Sequence, residues 1–82
     1  MLIRSQNKKS IINLSNIDLI NADNETIRAY NGNSSTTLGK YSTQEKAIKV
    51  LDQIQYSCIT ITNGSKYFSP VFQMPQDNEV QV

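Results

Sequence analysis

The stretch STQEKAIKVLDQIQYSCITITNG, Ser42 to Gly64, decides the fold because it carries the one long periodic signal in the chain. Ser42 followed by Glu45 has the spacing of a capping box, in which each side chain accepts from the other residue's unpaired backbone N–H, and it predicts a helix start. Ala47, Val50, Leu51, Ile54, Cys58 and Ile61 then recur every three or four residues and fall within about 100° of one another on a helical wheel, which makes one buried stripe. Asn63 and Gly64 supply a left-handed stop. The last turns, Tyr56 to Thr62, alternate as a strand would and are rich in β-branched residues. The stripe nevertheless runs through Cys58 and Ile61, and burial outweighs propensity differences of about 0.7 kcal/mol or less per residue. One helix is therefore expected. Ile48 and Ile59 lie outside the stripe and widen the apolar arc to roughly 180°, more than one sheet face needs.

A helix of this length is about 30 Å long, whereas four or five strands at about 4.8 Å spacing span only about 15–20 Å. The overhang, together with Ile48 and Ile59, predicts a homo-oligomer. Size points the same way, since a chain of 82 residues buries only about 60–65% of its unfolded surface and is marginal alone. Cys58 is the only cysteine and histidine is absent, so neither a disulfide framework nor the common zinc spacings are available. No metal or cofactor is expected. A net charge of +1 gives no field for tight non-specific binding to nucleic acid or membrane. No apolar run is long enough for a signal peptide or a membrane span, and a cytoplasmic protein is expected.

The rest of the chain reads as short strands. Leu2–Ser5 and Ile11–Leu14 flank the polar turn Gln6–Ser10, and Ile17–Ala22 resumes an extended pattern. Asp23-Asn24 is a two-residue turn into Glu25–Tyr30, where Ile27 and Ala29 face one side and Thr26, Arg28 and Tyr30 the other. Asn31-Gly32 is the strongest hairpin signal and leads to Thr36–Tyr41. A four-residue loop through Ser34 is preferred there because it sets Ile27 opposite Leu38 on the apolar face. The fold expected is α+β, an antiparallel meander of four to five short strands covered on one face by a single long C-terminal helix and followed by an extended segment. In that segment Pro70 and Pro75 exclude a central strand and allow an edge strand or an extended cover. Residues 1–75 form one domain in this reading, with 76–82 a flexible tail.

Catalytic signatures are missing. Without histidine, Ser-His and Cys-His nucleophiles are excluded, and Cys58 on the buried stripe behaves as a small hydrophobe. Asp18, Asp23 and Glu25 read as turn formers rather than paired catalytic carboxylates, and neither a calcium loop nor a phosphate-binding glycine loop is present. The chain is expected not to be an enzyme. Arg4, Lys8, Lys9 and Arg28 come from strands or turns that can adjoin, and the arginine fork suits phosphate. Tyr30 or Tyr41 can stack a base beside them. The bland alternatives are a basic edge that resists aggregation and cross-strand tyrosine packing. Arg4, Lys8, Arg28 and Tyr30 are the expected ligand-binding set. Ile48, Ile59, Tyr67, Phe68 and Phe72 are the expected interface, the aromatics acting as anchors for another chain or sealing their own core.

Ile3-Arg4-Ser5-Gln6-Asn7-Lys8, Leu38-Gly39-Lys40-Tyr41 running into Thr43, Glu45, Ala47 and Val50-Leu51-Asp52, and a late aromatic before Met74-Pro75 resemble small uncharacterised single-domain proteins of Gram-positive bacteria and their phages. The resemblance implies a compact domain in a mobile-element setting and carries no activity. By analogy with phage proteins of this size, it suggests an anti-defence inhibitor that sequesters a nucleotide-like signal or caps a host protein. The function expected is a non-enzymatic binding or inhibitory module, with an accessory nucleic-acid-binding or structural protein as the alternative. Its partners are then a small anionic ligand or a host protein.

Overall fold

The computed structural model describes residues 1–64 and 71–82, without the side chains of 58–64. The fold is α+β, and the described residues form six short strands in two small sheets and one long helix. The strands are β1 (Leu2–Arg4), β2 (Ile11–Asn13), β3 (Leu19–Asp23), β4 (Thr26–Asn31), β5 (Ser34–Lys40) and β6 (Val71–Gln73), and the helix α1 (Gln44–Gly64) lies between β5 and β6 in the chain.

The single meander expected from the sequence is instead divided. One sheet has the order β2-β1-β6 and the other β3-β4-β5. The break follows β2, where Asn13 Oδ1 accepts from Ser15 N at 3.1 Å and from Ser15 Oγ at 2.8 Å. That cap starts a 3₁₀ turn at Leu14–Asn16, which redirects the chain before β3 and ends the pairing with β2. The segment after the helix returns to the first sheet. There β6 runs parallel to β1, with Ile3 opposite Phe72, and occupies an edge, where its flanking prolines are tolerated.

Turn chemistry sets the second sheet. β3 and β4 are joined through Asn24 and Glu25, one residue later than expected, with Asn24 at φ +57°, a left-handed conformation that asparagine tolerates. β4 and β5 are joined through Gly32 and Asn33, with Gly32 at φ +59°. From that turn the expected register holds as far as Arg28 opposite Thr37, and then it shifts. Ile27 faces Gly39 rather than Leu38, because Leu38 is an extra residue, a β-bulge in β5. The bulge allows Leu38, Gly39 and Tyr41 all to be buried. It also turns Lys40 to the opposite face, across from Thr26.

The helix is present as its periodicity predicts, but it starts one residue later than the capping box implied. Thr43 Oγ1 accepts from Lys46 N at 3.1 Å, which makes Thr43 the cap. The Ser42 N–H is taken by Asp77 Oδ1 at 2.7 Å, and Lys46 Nζ donates to the Asp77 carbonyl at 3.1 Å. Ala47, Val50 and Ile54 are buried, and α1 packs on β3 and β4. Their core joins Ile3, Ile27, Ala29, Leu38, Tyr41, Met74 and Val80, with Leu51 and Phe72 packed partly against it. Residues 76–82, expected to be a flexible tail, carry a 3₁₀ turn at Asp77–Glu79 and place Val80 in the core at 4% exposure.

Gln6 joins the two sheets. Its N–H donates to Leu38 O at 2.7 Å, and its side-chain amide accepts from Lys40 N at 2.9 Å and donates to Lys40 O at 3.0 Å. The same Nε2 reaches Pro75 O at 3.3 Å, while Gln76 Nε2 donates to Gln6 O at 2.8 Å. Nearby, the Tyr41 hydroxyl donates to Pro75 O at 2.8 Å and Gln73 Nε2 to Ser5 O at 3.0 Å. The segments around Gln6, Gly39 and Met74-Pro75 therefore meet at this joint.

Candidate functional site

The face of β3–β5 turned away from the helix is polar. Alternation along β4 places Thr26, Arg28 and Tyr30 there, and directly opposed residues share a face. Asn21 and Thr37 therefore flank Arg28, and Leu19 and Ser35 flank Tyr30, while Asp23 and Lys40 flank Thr26.

On the β3 side, Asp23 organises the surface. Its Oδ2 accepts from the Tyr30 hydroxyl at 2.6 Å and its Oδ1 from Asn21 Nδ2 at 2.6 Å. Tyr30 stands opposite Leu19, four residues from Asp23 and about 13 Å along the strand. The Tyr30 side chain therefore reaches along the sheet, past Arg28, to Asp23. The hydrogen bond to Asp23, followed by desolvation and the carboxylate's charge, raises the Tyr30 pKa.

Arg28 is less well satisfied. Its Nε is 3.9 Å from Asp23 Oδ2, a long contact between side chains that are both about 40% exposed, at 43% and 40%, and such pairs contribute little. That Nε is buried and has no hydrogen-bond partner among the described residues. On the β5 side, Lys40 presents a second cation from the same face, on the row next to Arg28. Rows two residues apart put the two Cα atoms about 7–8 Å from each other, a separation that one phosphate can bridge. Among the described residues Lys40 has no ion pair. Thr37, directly opposite Arg28 and exposed, adds a hydroxyl.

Of the expected ligand set, Arg28 and Tyr30 share this face. Arg4 lies in β1 of the other sheet and Lys8 in the β1–β2 loop, which Arg4 closes by donating from Nε and Nη2 to Lys8 O at 3.2 and 3.1 Å. The two pairs are linked indirectly, because that loop also carries Gln6, which grips the backbone of Lys40. Among the expected interface residues, Ile48 is 46% exposed and Phe72 packs partly on the core. Tyr67 and Phe68, and the side chain of Ile59, lie outside the described residues. Lys40 was missed by pattern reading because an unbroken strand would turn it inward. The signal was Gly39, since a glycine inside a strand pattern marks a bulge.

Among the described residues no group of three or more Cys, Asp or Glu side chains can hold a metal ion, and no helix is long and apolar enough to cross a membrane. Comparison of the chain with protein-family models, curated proteins and solved structures finds no match.

Proposed function

We propose that the chain is a non-enzymatic binding module that holds a small phosphate-bearing ligand on the outer face of β3–β5. Arg28 and Lys40 take the anion, Thr37 adds a hydroxyl, and the Tyr30 ring offers a stacking surface for a base. The observation that carries this reading is the pairing of two cations on adjacent rows of an open sheet face, with Asp23 confined to the other side of Arg28. Asp23 accepts from Tyr30 through one oxygen and from Asn21 through the other, a positioning role that argues against one as a general base. A nucleotide-like signal, the ligand class suggested by the phage resemblance, suits a charged end beside a ring.

The test is calorimetric titration of nucleoside phosphates into the wild type, Arg28→Ala and Lys40→Ala. Removing a charge-assisted pair of hydrogen bonds should weaken binding by about 1.5–3 kcal/mol for Arg28→Ala, with Lys40→Ala also weakened. Unchanged affinity in both variants removes this site. Tight binding of oligonucleotides with a steep salt dependence would instead favour the nucleic-acid alternative.

A further inference from the structure

We propose that the solvent face of α1 is the seat of a second copy of this chain, packed antiparallel across a two-fold axis between residues 50 and 51. Glu45, Ile48, Lys49, Asp52 and Tyr56 fall within about 100° of one another on the helix, opposite the buried stripe. Ile48 and Tyr56 are 46% and 71% exposed, so an isoleucine and an aromatic ring stand on the same outward helix face.

The charges choose the occupant. Lys49 and Asp52 are exposed, and among the described residues neither forms an ion pair, not even with the other one turn away. In an isologous antiparallel contact centred at 50–51, Lys49 of each copy stands across from Asp52 of the other, so the pair is made twice. The same register sets Glu45 across from Tyr56 of the second copy. It also brings the two Ile48 side chains together, about 7–8 Å apart along the axis at 1.5 Å per residue and on the same side of the seam. An unrelated partner would need to supply this alternation of charge; a second copy has it already.

The surroundings have room for a second helix. Lys49 and Asp52 form a ridge between two open grooves, one of about 470 Å³ bordered by Gln53, Tyr56, Ser57 and Phe72, the other of about 260 Å³ bordered by Glu45, Ile48 and Val82. Ridges entering grooves on both sides are what helix packing at about 8–10 Å requires.

Charge reversal tests the register. Lys49→Asp and Asp52→Lys each place like charges opposite one another in a homodimer, whereas a mixture of the two variants restores both pairs in a heterodimer. Sedimentation equilibrium at low salt should show a dimeric wild type, each variant with a dimer dissociation constant raised at least about tenfold, and association recovered in the equimolar mixture. Ile48→Lys should also be monomeric, and thermal melts followed by circular dichroism should show all three variants folded. A monomeric wild type overturns the proposal, as does a variant that remains dimeric or a mixture of folded variants that fails to associate.

Discussion

The side-chain amide of Gln6 pairs with the backbone of Lys40 as a neighbouring strand would, accepting from its N–H at 2.9 Å and donating to its carbonyl at 3.0 Å. With the Gln6 N–H on Leu38 O, this covers the part of the β5 edge that carries the bulge. It also fixes the backbone from which Lys40 enters the candidate site.

Gln6→Ala removes the side-chain half of this joint and should destabilise the fold by about 1–3 kcal/mol, at roughly 1 kcal/mol per hydrogen bond lost. Gln6→Glu should do no better, because it keeps an acceptor for Lys40 N but sets a carboxylate against two carbonyls. Urea melts of both variants measure this; a loss confined to Gln6→Glu would mean that the alanine site is resolvated without cost.

Gly39→Ala tests the packing behind the bulge. A Cβ at Gly39 would stand 2.9 Å from Tyr41 Oη and 3.1 Å from Cε2. The ring cannot yield freely, because it is buried and its hydroxyl holds Pro75 O. The expected loss is about 1–3 kcal/mol, the usual cost of overpacking, read from the urea midpoint. Tyr41→Phe removes the closest of these contacts and should make Gly39→Ala less costly in that background than in the wild type.

The helix makes a graded prediction. Ile54→Ala, in the buried core, should cost about 2–4 kcal/mol, and Leu51→Ala, which only borders that core, should cost less. Measured at a protein concentration where the chain is monomeric, Lys49→Ala on the exposed face should change stability by less than about 0.5 kcal/mol. Equal effects at all three positions would contradict the helical phase.

Two groups give the pH dependence opposite signs. The Ser42 backbone N–H, against opposing desolvation and with help from Lys46, lowers the Asp77 pKa from 3.8. Its contribution is therefore present above that value and lost as pH falls through the depressed one. Burial raises the Tyr41 pKa well above 10.0, so its contribution is complete below 10.0 and is lost as pH rises further. Melting temperature against pH should fall at both ends, Asp77→Asn flattening the acid limb and Tyr41→Phe the alkaline one. A wild-type alkaline limb retained in Tyr41→Phe would assign it to another group.

The helix was legible because a stripe from Ala47 to Ile54 is a local pattern, and the β3–β4–β5 hairpins were legible because Asn24 and Gly32 mark their turns. The division into two sheets was not legible. It depends on β6 pairing with β1 from the far end of the chain and on a three-residue turn at Leu14–Asn16 that interrupts an otherwise extended pattern. Half of the candidate site was visible in the alternation of Arg28 and Tyr30. Lys40 was hidden by the bulge, and the roles of Gln6 and Asp77 leave no local trace because their partners lie more than thirty residues away.

The central claim is that Arg28 and Lys40 together hold a phosphate. Its most direct test is a titration of the isotope-labelled protein with a nucleoside monophosphate, followed residue by residue through backbone amide shifts. The account predicts saturable shifts concentrated at Arg28, Tyr30, Thr37 and Lys40, abolished in Arg28→Ala while the spectrum otherwise keeps its dispersion. Shifts that centre on the β1–β2 loop or the helix, or that persist unchanged in Arg28→Ala, would contradict it.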